Sequence, residues 1–142
     1  MSIGTAANPA KVVLDTNIII SAVGFGGKPR KILQQILDKK IRATTSPVLL
    51  AELEDVVTKK FPELKNHFGR INKQIRKKFK VVSPQASVKI VKDEADNRVL
   101  EAAIEGECSF IVTGDKQLLD LGSFKGVKIV TAGQFLKVLG KT

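Results

Sequence analysis

The sequence contains no tryptophan or tyrosine, one cysteine and one histidine. Because Cys108 has no second thiol to pair with, an internal disulfide and a cysteine-based zinc site are excluded, and we expect a small core residue. Apolar runs are also short: none approaches the roughly 18 to 20 residues that a membrane span requires, and no basic segment followed by an apolar run opens the chain. The sequence therefore predicts a soluble, cytoplasmic protein with no membrane partner.

The scarcity of aromatic residues bears on nucleic-acid binding. Without Trp or Tyr, bases could stack only on phenylalanine, on His67 or on arginine planes, which argues against strong sequence-specific stacking. Polyanion binding is nevertheless favoured, because 24 Lys and Arg against 14 Asp and Glu give a net charge of +10. An acidic protein partner, or a merely solvated lysine-rich surface, explains this charge as well. The sole histidine fits a surface or packing role better than a catalytic one.

Length and patterning indicate one α/β domain. With 142 residues, 43% of them hydrophobic, the chain can bury one sizeable core. Residues 1–10 are small, polar and aperiodic, which predicts a flexible lead-in before a single domain over 11–142. Short apolar runs rich in β-branched residues alternate with helical patterns, as in a parallel sheet covered by helices on both faces. These runs are 12–14, 41–45, 110–113 and 127–130.

Several helices have recognisable ends. A capping residue, a proline at the first helical position and closing glycines are typical signals. They predict helices from Ser46-Pro47 to about Lys60, from Asp93 to Gly106, and a short one from near Asp115 to Gly122. Residues 59–80 stand apart, because they contain nine Lys or Arg and one acid. Apolar residues recur in this segment at spacings of three, four and seven, which predicts one or two basic amphipathic helices.

Two acids lie on helix faces that are otherwise apolar. At about 100° per residue, Glu52 falls inside the apolar arc of its helix and Asp96 on the buried stripe of the next helix. Glu54, Glu94 and Glu101 are predicted to point away from the core. An acid in the middle of a helix caps nothing, and burying it ionised and unpaired costs several kcal/mol. The alternative for Glu52 is an ion pair with a buried Lys or Arg.

Two further acids follow strands. Asp15 comes directly after Lys-Val-Val-Leu, and Asp115 comes after Phe-Ile-Val-Thr-Gly, so both are expected at the carboxyl edge of the sheet, where open α/β sheets bind ligands. These acids can therefore converge with Glu52 and Asp96. The alternative is that Asp15, Asp115 and Asp93 each cap the helix that follows.

Four converging carboxylates predict a metal site. Their mutual repulsion would raise their pKa values unless cations entered, and an oxygen-only set without a His/Cys cluster suits Mg²⁺ or Mn²⁺ rather than zinc. Such ions activate water and stabilise charge in phosphodiester hydrolysis. We therefore predict that Asp15, Asp96 and Asp115 hold metal directly, while Glu52 binds metal or positions the attacking water. Polar supports are expected at Asn17, Ser46 and Thr113, with Asp93 as an accessory acid whose main role is capping.

The same residues occur in an order that resembles PIN-domain proteins, close to the ribonuclease toxins of bacterial and archaeal VapBC-type toxin-antitoxin pairs. The matching pieces, spread over nearly all of 11–139, are Val-Val-Leu-Asp15-Thr16-Asn17, Ser46-Pro47 with Ala51-Glu52-Leu53, Asp93-Glu94-Ala95-Asp96-Asn97, and Val112-Thr113-Gly114-Asp115-Lys116. The resemblance implies a PIN-like three-layer fold with a central parallel sheet of about five strands. It also implies a magnesium-dependent endoribonuclease acting on single-stranded RNA, assembly as a homodimer or higher homo-oligomer, and inhibition by a cognate antitoxin.

The basic segment at 59–80 is a candidate RNA guide, because an acidic pocket repels phosphate by itself. The alternatives are a solvated helix face, or a surface that binds the antitoxin or a second copy of the chain. Two rival functions remain open: a receiver-type signalling domain, and a non-catalytic PIN-like module that binds RNA or protein. The cationic residues of the candidate guide are Lys59, Lys60, Lys65, Arg70, Lys73, Arg76, Lys77, Lys78 and Lys80.

Overall fold

A computed structural model describes residues 10–140 of the chain. The flexible lead-in predicted over residues 1–10 lies outside the described residues, apart from Ala10. Ala10 is buried, and its carbonyl accepts a hydrogen bond from the backbone N–H of Arg42. Packing therefore includes at least one residue before the predicted start of the fold at Lys11.

Strands and helices alternate through most of the described part of the chain. The strands are β1 (Lys11–Leu14), β2 (Arg42–Thr45), β3 (Lys80–Val81), β4 (Phe110–Val112), β5 (Ser123–Phe124) and β6 (Val127–Val130). The α-helices are α1 (Thr16–Gly24), α2 (Gly27–Leu37), α3 (Pro47–Lys60), α4 (Lys65–Lys78), α5 (Glu94–Glu105), α6 (Lys116–Leu121) and α7 (Ala132–Gly140), with a 3₁₀ turn at Pro62–Leu64. Within residues 10–140, no helix has the length and apolar character needed to cross a membrane.

The central sheet confirms the predicted α/β class. Its six strands lie in the order β3-β2-β1-β4-β6-β5, and every neighbouring pair is parallel except β5 with β6. About five strands were predicted; the additional one is the two-residue β5, which is too short to carry an alternating or apolar signal. The strand order reverses direction between β1 and β4. From β1 the chain continues to β2 and β3 on one side of β1, whereas β4 lies on the other side of β1. This reversal defines the crevice where such sheets bind ligands.

Two hydrophobic cores cover the two faces of the sheet. Val12 and Leu14 of β1 pack on one face with residues of α1, α2, α3, α4 and α7. Val13, between them, points to the opposite face and packs with residues of α5 and α6. This alternation along a single strand produces three layers. Cys108 belongs to the second core and is buried, as predicted.

The helix ends follow the predicted punctuation. The Ser46 hydroxyl accepts a hydrogen bond from the backbone N–H of Leu49 at 3.3 Å, and α3 then continues from Pro47 to Lys60. Asp93 precedes α5 and Gly106 follows it. These ends are readable in the sequence because capping depends on a few local residues.

The basic segment forms the end of α3, the 3₁₀ turn and the whole of α4. One side of α4 buries Phe68 and Ile75 against the first core. Most of its cationic residues, and His67, are exposed. The predicted amphipathic character is therefore confirmed, and the last cation of the segment, Lys80, begins β3 instead of extending a helix.

The prediction that Glu101 points away from the core was wrong. Its exposed fraction is 7%, its carboxylate accepts a hydrogen bond from the backbone N–H of Val88 at 2.8 Å, and it forms an ion pair with Arg98 Nε at 2.9 Å. The reason is the chain between β3 and α5, which runs along this face of α5 without regular structure. A periodicity argument does not reveal that a loop covers a helix face.

Candidate metal centre

The candidate site begins at the strand reversal between β1 and β4. Leu14 and Val112 are register partners at the carboxyl ends of these strands, and the backbone N–H of Asp15 donates to the Val112 carbonyl at 3.0 Å. The chain therefore places Asp15 and Thr113 next to each other, directly beyond the last paired residues. Asp15 is 6% exposed and Thr113 is fully buried.

Thr113 links the two acids that follow the strands. Its hydroxyl donates to Oδ2 of Asp15 at 2.8 Å and accepts from the backbone N–H of Asp115 at 2.9 Å. A hydroxyl can donate once and accept as well, so both roles are filled. Thr113 therefore orients the Asp15 carboxylate and fixes the backbone at Asp115.

Asp15 and Asp115 differ in whether they cap the helix that follows them. Asp15 makes no side-chain capping hydrogen bond to α1, so that alternative was wrong for Asp15. Asp115 does cap α6: its Oδ1 accepts from the backbone N–H groups of Gln117 at 2.9 Å and Leu118 at 3.3 Å. Capping engages one oxygen of Asp115 and leaves the other for a second interaction.

Asp96, on α5, interacts with Asp115. It lies in the first turn of α5, is 5% exposed, and has one buried oxygen, Oδ2, for which the described residues provide no hydrogen-bond donor. Asp93 caps the same helix, accepting from the N–H groups of Ala95 at 2.8 Å and Asp96 at 3.4 Å. The predicted capping role of Asp93 is therefore confirmed.

The electrostatics show that these acids interact. Burial raises the pKa of Asp96 to about 7, and the Asp115 carboxyl adds to the shift, both through a hydrogen bond that only a protonated partner can make and through its charge. Asp93 and Asp15 raise it further. Burial also raises the pKa of Asp15, while the Thr113 hydroxyl opposes this shift by stabilising the ionised form.

Glu52 approaches the same group of acids from α3. Burial, followed by the charges of Asp15 and Asp93, raises the pKa of its half-buried carboxyl. Among the described residues, none of the ion pairs involves Glu52, so the alternative of a buried Lys or Arg partner finds no support. Because the charge of Asp15 acts on Glu52, α3 contributes a carboxyl to the candidate site.

The donor set fits a hard divalent cation. Asp96 Oδ2 is a buried acceptor without a donor, and the Asp96 carboxyl interacts with the carboxyl of Asp115. Within residues 10–140 no group of three or more His, Cys, Asp or Glu is already arranged at metal-ligand spacing. Mg²⁺ does not require such a cage, because it keeps several waters and commonly takes one or two carboxylates. The pair Asp96 and Asp115 is therefore the core of the candidate site, with Asp15 and Glu52 beside it.

The other predicted supports occupy different positions. Ser46 is fully buried, and its hydroxyl caps α3. Asn17 is exposed in the first turn of α1. Neither has a hydrogen bond to the acids among the described residues, which leaves Thr113 as the predicted support with a direct contact.

Sequence reasoning missed Asn97 as a support of the site. Its side-chain oxygen accepts from the backbone N–H groups of Ile90 and Val91, and its amide donates to the Val91 carbonyl at 2.8 Å. Asn97 therefore holds the chain that leads into Asp93 and the start of α5. The sequence did contain a signal for this role: Asn97 lies three residues before Leu100, so it is a polar residue on the face of the helix that is predicted to be apolar.

Comparisons with known proteins agree with this architecture. The PIN domain family profile matches residues 11–117. An uncharacterized protein of Methanocaldococcus jannaschii, MJ1680, is 36% identical over 78% of this chain and 74% of its own length. VapBC2 from Rickettsia felis, whose crystal structure was solved with a bound DNA fragment from its promoter, is similar in fold. The TM-score is 0.58 at 18% sequence identity, and the match covers 84% of this chain and 96% of that chain. PAE2754 from Pyrobaculum aerophilum has a TM-score of 0.61, 15% identity, and coverage of 92% and 90%.

The fold is the three-layer α/β arrangement of PIN domains, a class of proteins that are generally nucleases. The chain belongs to the PIN-domain family.

Proposed function

We propose that this protein is a divalent-metal-dependent endoribonuclease that acts as the toxin of a toxin-antitoxin pair. The observation that carries the proposal is the pairing of Asp96 with Asp115, beside Asp15, at the point where the strand order reverses. Membership of the PIN-domain family supports nuclease activity, because PIN domains are generally nucleases. The likeness to VapBC2, a protein named as part of a VapBC pair, supports an antitoxin partner.

The carboxylates would divide the work. Asp96, Asp115 and Asp15 would hold Mg²⁺ or Mn²⁺, which supplies positive charge that acidifies water and stabilises the leaving oxygen of a phosphodiester. Glu52 would orient the attacking water and accept its proton, a role favoured by its half-buried position and raised pKa. Thr113 holds the Asp15 carboxylate in a fixed orientation through its hydrogen bond.

Single-stranded RNA is the proposed substrate. The exposed cations of α4 form a basic surface on the outside of the molecule, and basic surfaces recruit phosphate backbones by releasing condensed counterions. The absence of Trp and Tyr limits base stacking and favours backbone contacts over readout of base sequence. Assembly as a homodimer, and a cytoplasmic location, remain part of this proposal.

A second candidate is a non-catalytic module that binds RNA or protein. The observation that favours it is the lack, within the described residues, of a preformed group of three or more metal ligands. The two candidates differ in one measurable respect: only the first requires Asp96 and Asp115 for chemistry.

A nuclease assay separates them. Purified parent protein should cleave a single-stranded RNA with Mg²⁺ and lose this activity in EDTA, and Asp15→Asn and Asp96→Asn should each reduce the rate at least a hundredfold. Asp55→Asn is the matched control, because Asp55 is an exposed acid on α3. Equal rates in the parent and both site variants would mean that the activity is a contaminant or that the site is elsewhere. No cleavage by a parent that still binds RNA would support the binding module.

A further inference from the structure

Phe25 presents an aromatic ring on the surface of the protein. All seven phenylalanines of the chain lie within the described residues, and Phe25 is 72% exposed whereas the other six are buried or half-buried. Its ring contacts the ring of Phe61 edge to face, with 6.2 Å between the centroids. This contact supports the Phe25 ring on one side, and most of the ring stays open to solvent, where a flat partner can stack on it.

The loop that carries Phe25 is held in place by hydrogen bonds. The backbone N–H groups of Phe25 and Gly26 both donate to the Ser21 carbonyl at 2.9 Å. The Arg30 guanidinium closes the end of α1, because it donates to two carbonyls of the last turn at 2.8 and 3.2 Å. An exposed aromatic side chain on a fixed backbone loses little conformational freedom on binding, as is typical of residues that anchor an interface.

The segments that meet at Phe25 are basic. Leu64 of the 3₁₀ turn packs so closely on Gly24 that a Cβ at Gly24 would lie 2.8 Å from it, and Phe61 follows α3 directly. Residues 24–31 therefore meet residues 59–70, and together these segments contain seven Lys or Arg and one acid, Glu63. All seven cations are exposed: Lys28, Arg30, Lys31, Lys59, Lys60, Lys65 and Arg70.

An exposed ring among exposed cations matches the chemistry of a nucleic-acid single strand. Cations follow the phosphates, and an aromatic ring stacks on a base. The positive charge favours a polyanion over an apolar protein surface as the occupant. The solvated cations alone would bind any polyanion, so the ring of Phe25 is the part of this surface that distinguishes bases from bare phosphate.

The exposed face of α1 connects Phe25 with the candidate metal centre. This helix begins directly after Asp15, and ten residues at about 1.5 Å each place Phe25 roughly 15 Å from that acid. Asn17, Ser21 and Gly24 recur on its solvent-accessible face at spacings of four and three, while residues 18–20, 22 and 23 are buried. A single strand covers this distance with about four stacked nucleotides, or with fewer when it is more extended.

We propose that Phe25 stacks on a base of the RNA substrate, a few nucleotides away from the phosphodiester at the carboxylates. The inference rests on the proposed function, because its occupant is the RNA of that function. Phe25 positions the strand between the acidic crevice and the basic segment. It does so without selecting a particular base, since every base has a π-face.

The absence of tryptophan and tyrosine from the chain permits a direct test. Phe25→Trp introduces one tryptophan, whose emission should be quenched when an oligoadenylate RNA binds in EDTA, because a base stacked on an indole quenches its fluorescence. Inorganic polyphosphate, which has charge but no bases, should bind without quenching. Phe124→Trp is the matched control, because Phe124 is half-buried on β5 with Lys125 Nζ 5.5 Å from its ring centroid. Its emission should not change with either ligand.

Binding affinity provides the second readout. Phe25→Ala should weaken binding of the oligoadenylate by roughly fivefold or more, measured by competition with a labelled strand in EDTA. Its affinity for polyphosphate should not change, which shows that the fold and the charges are intact. Equal losses for RNA and polyphosphate would overturn the proposal, as would unquenched emission of Phe25→Trp with RNA bound, or no binding of oligoadenylate by the parent.

Two further outcomes separate this proposal from others. If Phe25→Ala binds RNA like the parent but sediments as a smaller species, Phe25 belongs to a contact between two copies of the chain, and the stacking role is overturned. Cleavage that requires Asp96, together with unchanged RNA binding by Phe25→Ala, rejects the stacking and keeps the proposed nuclease. Binding that depends on Phe25 without any Mg²⁺-dependent cleavage supports the stacking and rejects the nuclease.

Discussion

Thr113 and Asp15 are joined by a hydrogen bond of 2.8 Å between side chains 98 positions apart in the sequence. The bond is buried, and the same Thr113 oxygen accepts the Asp115 N–H. One hydroxyl therefore couples the ends of β1 and β4, which are the two strands on either side of the reversal in strand order. The geometry of the acidic crevice depends on this residue, although it carries no charge.

Replacing Thr113 with valine keeps the shape and removes both hydrogen bonds. We expect a loss of about 1 to 3 kcal/mol in the free energy of unfolding, because the Asp115 N–H and the Asp15 carboxylate lose buried partners. The pKa of Asp15 should rise further, since the Thr113 hydroxyl normally lowers it. Urea denaturation measures the first effect and carboxyl NMR titration the second. Thr58→Val, at an exposed position on α3, should change neither; an unchanged Asp15 titration in Thr113→Val would contradict the assigned role.

The acidic crevice should make the metal-free protein less stable as pH rises. The pKa of Asp96 is raised from 3.8 to about 7, so between these pH values the folded state binds a proton that the unfolded state has released. By linkage, the free energy of unfolding then falls with increasing pH across this window and levels off above it. The raised pKa values of Asp15 and Glu52 act in the same direction.

Urea midpoints measured in EDTA from pH 4.5 to 8 provide the test. The difference between the parent and Asp96→Asn isolates the contribution of one carboxyl from general acid effects. The stability of Asp96→Asn relative to the parent, measured by the urea midpoint, should be greatest near pH 8, where the parent carboxylate is ionised. A difference that does not vary with pH would show that Asp96 does not titrate in this range.

Divalent metal should reverse this destabilisation. Mg²⁺ or Mn²⁺ binds the folded state through carboxylates and therefore raises its stability by mass action. We expect the melting temperature of the parent to rise by several degrees with millimolar Mg²⁺ at pH 8, and this gain to disappear in Asp96→Asn. Na⁺ at matched ionic strength serves as a control, together with Asp55→Asn, which should keep the full gain. An equal gain in Asp96→Asn and the parent would place the binding ions elsewhere.

The basic surface of α4 predicts a salt-dependent interaction with RNA. Lys73, Arg76 and Lys77 are exposed on α4, and changing all three to Gln should weaken binding of a single-stranded RNA. The slope of log affinity against log salt should decrease by about 2, because each phosphate contact on a single strand contributes about 0.7. Fluorescence anisotropy at several salt concentrations measures both. The control changes Lys89, Lys125 and Lys137 to Gln; if it flattens the slope equally, α4 has no special role.

Much of the fold was readable from the sequence because it depends on local signals. Apolar runs gave the four longest strands, and capping residues gave the ends of α3, α5 and α6. Convergence of the acids followed from a geometric rule about parallel strands, which is why Asp15 and Asp115 could be paired despite their separation. The two-residue β3 and β5 could not be predicted, since they exist only through pairing with a longer neighbour.

The sequence could not reveal which surfaces are buried by distant parts of the chain. Glu101 has the helical position of a surface acid, and its burial results from the irregular chain near Val88. A cavity lined by cations such as Lys11 and Arg42 lies between the beginnings of three strands and the ends of three helices, so no single segment shows it. That Asp115 both caps α6 and interacts with Asp96 was likewise visible only in the structure, because capping and site roles share the same sequence signal.

Arg98 offers a direct comparison between a buried and an exposed ion pair. It contacts Glu101 at 2.9 Å and Glu94 at 3.5 Å, and the exposed fractions of the two acidic side chains are 9% and 82%. Exposed pairs contribute about 0 to 1 kcal/mol because water and salt screen them, so Glu94→Gln should have little effect on the free energy of unfolding. Glu101→Gln should lower it by about 2 to 4 kcal/mol, because it weakens the contacts of Arg98 and of the Val88 N–H in a buried setting. Hydrogen exchange should show faster exchange at Val88 in Glu101→Gln alone; similar exchange in both variants would mean that Glu101 does not hold the loop.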